Sequence, residues 1–209
     1  FLLALKTAEM AGLQSPAIEE SFQQVDGFLN QLRIISDDPD AIDLGYDYQF
    51  NPLNPVRKFQ PAISAEAILG KLFLGTTPDD PHVMAVVDRL LIESPIAFPG
   101  STRKSGRAVE FAAIDARSMK YAVKNIYAWY YITQVCHHVG GRVWREWNSD
   151  MCTLLPENQE SGGSDRGSWS PGHDLYGVKG GRLFTTALSA CMLETYYRHL
   201  SLYGVAEKN

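Results

Sequence analysis

Residues 130–159 read YYITQVCHHVGGRVWREWNSDMCTLLPENQ, and the pair Gly140–Gly141 divides the stretch into two runs of different character. The first run is strongly apolar. The second alternates charged and apolar side chains at helical spacing, the mark of a helix with one wet face. Glycine is favoured just past a helix end, where the chain needs a left-handed conformation. The stretch therefore predicts two helices folded back on each other.

The same arrangement recurs along the chain. Helix-like runs end at Gly12, Gly75, Gly140 and Gly204, a period of about 64 residues. After the first three glycines a short polar or proline-bearing turn is expected, followed by a second amphipathic run: SPAIEESFQQVDGFLNQL, DDPHVMAVVDRLLIES and RVWREWNSDMCTLLPENQ. Ser15 before Pro16 fits an N-cap with proline at the first helical position, and Glu19 and Glu20 suit the positive end of the helix dipole. Asp80 and Pro81 repeat the device. The first helix of each hairpin is the more apolar and is expected on the inside, the second on the outside. Segments rich in Pro, Gly, Asp and Ser separate the hairpins at about 36–61, 94–122 and 159–180, and no strand is predicted. A fixed repeat of this length decides the fold before any residue chemistry does. The expectation is an all-α chain, an α/α toroid-like array of helical hairpins amounting to about half a ring, forming one domain over residues 1–209.

Composition excludes several roles. A formal charge of −5 and pI near 5.5 leave no basic footprint for nucleic acid or anionic lipid. No window of apolar residues is long enough for a transmembrane segment. Cys136, Cys152 and Cys191 are an odd number at no framework spacing and are expected as buried free thiols. The chain opens at Phe1 within a helix-like run and without a cap, so the domain is expected to be truncated at its N-terminus. Phe1, Leu2 and Leu5 should then be under-packed, favouring association or dye binding there.

The segment LLPENQESGGSDRGSW resembles the QW repeat of squalene and hopene cyclases, in which an aliphatic residue, a Gln and a Gly-x-Trp follow one another. Leu155, Gln159, Gly167 and Trp169 occupy those positions, with a longer gap between Gln159 and Gly167 than the family usually has. Together with YAWYYITQVCHHVGG, WREWN, GSWSP and GGRLFTTALSACMLETYYRHLSLY, it resembles the C-terminal toroid-like modules of large bacterial proteins with prenyltransferase and squalene-oxidase type repeats. The resemblance implies that Trp169 stacks on the Gln159 amide and clasps one outer helix to the next inner helix. Gly180 and Gly181 would let that next helix start close to its neighbour. A phosphate-cradling reading of GVKGGR, with Lys179 and Arg182, is weaker because no strand precedes it and the P-loop spacing is missing.

Tyr127, Tyr130, Tyr131, Gln134 and His138 follow a series that places them on one helical face. Most are expected to pack. Two or three are candidates for lining a pocket, opposed across the array by the helix that bears Glu194, and aromatic faces of this kind stabilise cations. Glu194 precedes Arg198 by four residues, a spacing suited to an ordinary ion pair. No catalytic residue is assigned. The acidic D-x-D-D or D-C-T-A-E motif of the cyclases is absent, and Asp37, Asp38, Asp40 and Asp43 fall in a proline-broken loop. Asp150 and Cys152 resemble two prenyltransferase zinc ligands only superficially, since residues two apart on a helix do not share a face. His137 and His138 are adjacent and read as structural. No metal and no cofactor are implied. The expected partner is an isoprenoid or lipid-like ligand, or a protein, with no nucleic acid. The functional expectation is a non-catalytic binding module, with the C-terminal half of an isoprenoid enzyme as the alternative.

Overall fold

The computed structural model describes residues 1–35, 45–49, 58–99 and 124–198, the side chain of Arg198 excepted. Gly204, the aspartates at 37, 38, 40 and 43, and the Glu194–Arg198 pair lie outside the described residues. The described chain is all-α: α1 (Leu2–Met10), α2 (Pro16–Leu32), α3 (Pro61–Phe73), α4 (Pro81–Glu93), α5 (Ile126–Val139), α6 (Gly141–Glu157), α7 (Gly177–Leu193) and the single turn α8 (Thr195–Arg198). Among the described residues, extended pairing is confined to the isolated bridges Arg33 with Tyr46 and Lys124 with Asp174. The chain divides into two compact units, 1–88 and 89–209, and α4 runs through the division.

In the first unit the local signals act as the sequence predicts. Ser15 Oγ accepts the Ala17 N–H at 3.3 Å, with Pro16 opening α2. Asp80 Oδ1 accepts the N–H groups of His82 and Val83 at 2.9 and 3.2 Å and so caps α4. Gly12 and Gly75 have φ of +91° and +100°. Each lets the next residue close the helix end, Leu13 N–H to Ala8 O and Thr76 N–H to Lys71 O, both at 3.0 Å, which satisfies carbonyls the helix leaves open. Packing between α1, α2 and α3 depends on Gly70 in mid-helix, where an added Cβ would stand 3.2 Å from Leu29 and 3.4 Å from Leu2. Lys71 Nζ ties α3 to α2 by reaching Asp26 Oδ1 and Asn30 Oδ1, each at 2.7 Å.

In the second unit α5 packs on α6, α7 and α8, and α6 on α7. The α5–α6 turn differs from expectation, because α6 begins at Gly141, directly after Gly140, with no turn residues between them. Two successive glycines at φ +71° and +56° reverse the chain without a linker, which side chains would make costly. Trp147 Nε1 donates to Thr133 Oγ1 at 2.9 Å across the buried α5–α6 contact.

Burial differs between the helices of the middle of the chain and those towards its ends. Most of α3 and α5 is buried, whereas α6 buries one stripe. By contrast, α1 has no buried residue, and α7 buries only Gly177, Thr185, Ser189 and Met192. An apolar sequence is buried only where other segments cover it, and α1 and α7 leave most of their apolar side chains partly or fully in water. Phe1 is 84% exposed, and Leu2 and Leu5 are half-buried. Of the three thiols, Cys136 is buried, Cys191 is half-buried and Cys152 is exposed, so the expectation of three buried cysteines is corrected for Cys152, on the wet face of α6.

Candidate functional site

The segment between α6 and α7 is held by one tryptophan. Trp169 is buried, and its indole Nε1 donates to the carbonyl of Leu155 at 2.8 Å, in the last turn of α6. Its own N–H donates to Thr186 Oγ1 at 3.1 Å, and its carbonyl accepts from Thr185 Oγ1 at 2.8 Å. One residue thus joins the end of α6 to the body of α7. Gln159 is exposed, and its amide donates to Gly167 O at 2.8 Å. The long gap between Gln159 and Gly167 is closed as a loop: Glu160 N–H donates to Ser168 O at 2.9 Å and Gly167 N–H to Glu160 O at 2.8 Å. Gln159 and Gly167 are therefore neighbours despite the inserted residues.

Arg182 stands at the start of the regular part of α7, just after Gly181 breaks the helical path with φ +71° and ψ −173°. Its guanidinium reaches Asp165 at 3.0 Å, Ser168 Oγ at 3.0 Å and Glu160 at 3.6 Å. An anion brought to GVKGGR would meet two carboxylates already paired with the arginine, which weighs against the phosphate reading.

Sequence reasoning missed the centre of this region, Lys124 with Asp174. The carboxylate of the buried Asp174 accepts the Ile126 N–H at 2.9 Å at the start of α5, and the N–H groups of Tyr176 and Gly177 at 3.0 and 2.7 Å at the start of α7. It caps two helices at once, and a carboxylate at two positive dipole ends is doubly favoured. The backbones cross-link beside it, Lys124 N–H to His173 O at 2.9 Å and Leu175 N–H to Lys124 O at 3.0 Å. His173 adopts φ +58° to allow this, an uncommon conformation for a residue with a side chain. At Gly177 an added Cβ would collide with the Pro171 carbonyl. The Lys124 ammonium donates to Ser170 O at 2.7 Å and lies 5.6 Å from the centre of the Phe98 ring. The signals available were Asn125, whose side chain accepts the Ala128 N–H at 3.1 Å, and an Asp three residues before Gly177.

Burial pushes the Lys124 amine below the usual lysine range; Asp174 opposes that shift, Arg182 adds to it and Glu160 opposes it. Between the lowered folded value and the ordinary 10.5 the unfolded chain binds the extra proton, so this group's contribution rises with pH across that window. Below the folded value the cost of burying the charge is present in full. Wild type should therefore gain stability relative to Lys124→Met as pH climbs towards 10.5, read from denaturation midpoints of the two proteins. A difference that does not change with pH would show that the amine is not desolvated.

The aromatic candidates divide. Tyr127, Tyr130 and Tyr131 are half-buried and meet edge to face, with ring centres 5.1 Å apart for Tyr127 with Tyr131 and 5.0 Å for Tyr130 with Tyr131. Tyr176, not anticipated, joins them 5.4 Å from Tyr127. Gln134 and His138 are buried further along α5. Helix α7 packs directly beside α5, and both start at Asp174, so Glu194 at the far end of α7 is exposed away from the tyrosine cluster. His137 and His138 are buried with their rings 5.6 Å apart, and His137 meets Trp144 edge to face at 5.1 Å. The Cys152 thiol is 3.4 Å from Asn148 Oδ1, and desolvation raises its pKa, favouring the thiol form. Among the described residues no three His, Cys, Asp or Glu side chains gather as metal ligands, and no helix is long and apolar enough to cross a membrane.

No family model, curated protein or solved structure matches the chain.

Proposed function

We propose that this chain is a non-catalytic ligand- or protein-binding module of the α/α toroid kind, like the C-terminal modules of the large bacterial proteins it resembles. The observation that carries the reading is how the second unit uses its side chains. Asp174 and Arg182 are engaged in capping and bracing the α6–α7 connection, and Lys124 is buried among backbone carbonyls and Phe98. Beside them stands a partly exposed group of aromatic rings, Tyr127, Tyr130, Tyr131 and Tyr176. Rings of this type offer apolar area at small conformational cost and a polar edge for hydrogen bonding, which suits an isoprenoid or other lipid-like ligand.

Farnesol, titrated while intrinsic fluorescence is followed, provides the test. It should quench emission and raise the melting temperature, since a ligand that binds only the folded chain stabilises it. Tyr131→Ala should weaken that binding about tenfold, the loss of roughly 1.4 kcal/mol of aromatic contact, while the ligand-free protein still unfolds cooperatively. Unchanged affinity in Tyr131→Ala would remove the ligand from this cluster. A second reading, the C-terminal half of an isoprenoid enzyme, is favoured by the same ring faces, because they can stabilise a carbocation. A cyclised or hydrolysed product from squalene or farnesyl diphosphate, lost in Tyr131→Ala, would establish that reading instead.

A further inference from the structure

The tyrosine group is assembled from two parts of the chain, and one carboxylate stands at their junction. Tyr127, Tyr130 and Tyr131 share α5, so their mutual contacts follow from a single helix. Tyr176 instead immediately precedes α7, and its ring meets that of Tyr127 at 5.4 Å with the planes at 67°. That pair joins the two helix starts. The two oxygens of Asp174 divide between the same two starts. Oδ2 accepts the N–H of Ile126, the residue before Tyr127, and Oδ1 accepts the N–H groups of Tyr176 itself and of Gly177. A side chain fixed at both ends sets the separation of the two backbones that carry the rings. Asp174 is 2% exposed, so water does not compete for either oxygen. The backbone bonds of Lys124 to His173 and Leu175 bring the two segments side by side, but they end one residue short of Tyr176.

We infer that Asp174 is a positioning residue of the ligand site: by serving both helix starts at once it holds the Tyr176 ring against Tyr127 and keeps the aromatic surface assembled before a ligand arrives. The inference rests on the tyrosine group being the binding site, and it adds what sets that site's affinity. A surface already held in its bound arrangement loses less binding free energy to the ordering of its own side chains. Loosening the junction therefore weakens the ligand while every ring that touches it is still present.

Asp174→Asn cuts the link and little else. The amide keeps the size of the carboxylate but has one acceptor oxygen, so it can cap one helix start while its NH2 group faces the N–H donors of the other. Ring-to-ring nuclear Overhauser effects in the ligand-free protein give the first readout. The Tyr127–Tyr176 effect should be lost in Asp174→Asn. The Tyr127–Tyr131 and Tyr130–Tyr131 effects, both within α5, should persist, as should the helix content by circular dichroism. Farnesol should then bind more weakly than to wild type by on the order of fivefold. Val143→Ala is the control for stability alone, because it removes buried volume in the first turn of α6, near the opposite end of α5 from Tyr127. It should keep the Tyr127–Tyr176 effect and the wild-type affinity. A Tyr127–Tyr176 effect that survives in Asp174→Asn, its loss in Val143→Ala as well, or its loss with unchanged farnesol affinity would each overturn the inference. Farnesol that fails to bind wild type would remove the ligand reading, and the ring effects alone would then decide whether Asp174 positions Tyr176.

Discussion

Replacing Trp169 with alanine is expected to cost about 3 to 5 kcal/mol, the range for removing a large buried aromatic side chain. The ring is 4% exposed, and its indole N–H bonds the Leu155 carbonyl in the last turn of α6. The substitution therefore leaves a cavity and removes the tie between α6 and α7. Trp169→Phe separates the two effects, since it keeps most of the volume and loses the 2.8 Å bond, at about 1 kcal/mol. Leu155 O also accepts from Asn158 N–H at 3.1 Å, so its carbonyl keeps one partner in that variant. Chemical denaturation gives both values. A midpoint shift in Trp169→Ala worth less than about 1 kcal/mol would mean that the residue does not hold the connection.

Asp174→Ala should be as damaging, about 3 to 5 kcal/mol, because one carboxylate serves two helix starts and its charge opposes the desolvation of the Lys124 ammonium. Its loss strips acceptors from the N–H groups of Ile126, Tyr176 and Gly177. It also removes the main influence that holds the Lys124 amine in its charged form against desolvation. Asp174→Asn retains one oxygen and should lose less. Adding Lys124→Met to Asp174→Ala should return part of the loss, since the two residues are coupled through the buried charge. Equilibrium unfolding of wild type, Asp174→Ala, Lys124→Met and the double variant, with hydrogen exchange read at the Ile126 and Gly177 amides, tests this. Additive losses, or amides that remain protected in Asp174→Ala, would argue against a shared cap.

The contrast between these two residues shows what a sequence makes legible. Trp169 is marked in the sequence by the resemblance of the Gln159 to Trp169 stretch to a QW repeat, and the structure places it between α6 and α7. The hydrogen-bond partner of its indole is not legible in the sequence: Leu155 O takes the N–H, and the Gln159 amide donates to Gly167 O. Lys124 and Asp174 were missed because they are fifty residues apart. Each reads alone as an ordinary charged residue beside a turn. The tyrosine series on α5 was legible from helical spacing, but Tyr176 enters it from another segment and Glu194 stands apart from it. The reason is the same in each case, since helical spacing sets a side chain's direction and other segments set its surroundings.

By itself the sequence determined the all-α class, the positions of α1 to α4 and the division of the chain into helical runs. Those features depend on hydrogen bonds spanning a few residues, as at Ser15–Pro16, Asp80–Pro81, Gly12 and Gly75, where the backbone has few alternatives. Tertiary structure alone decided which apolar side chains of α1 and α7 keep faces in water while most of α3 and α5 is buried, and that Lys124 is desolvated near Asp174. Burial and charge shifts depend on which distant segments arrive beside a residue, and no local pattern encodes that arrival.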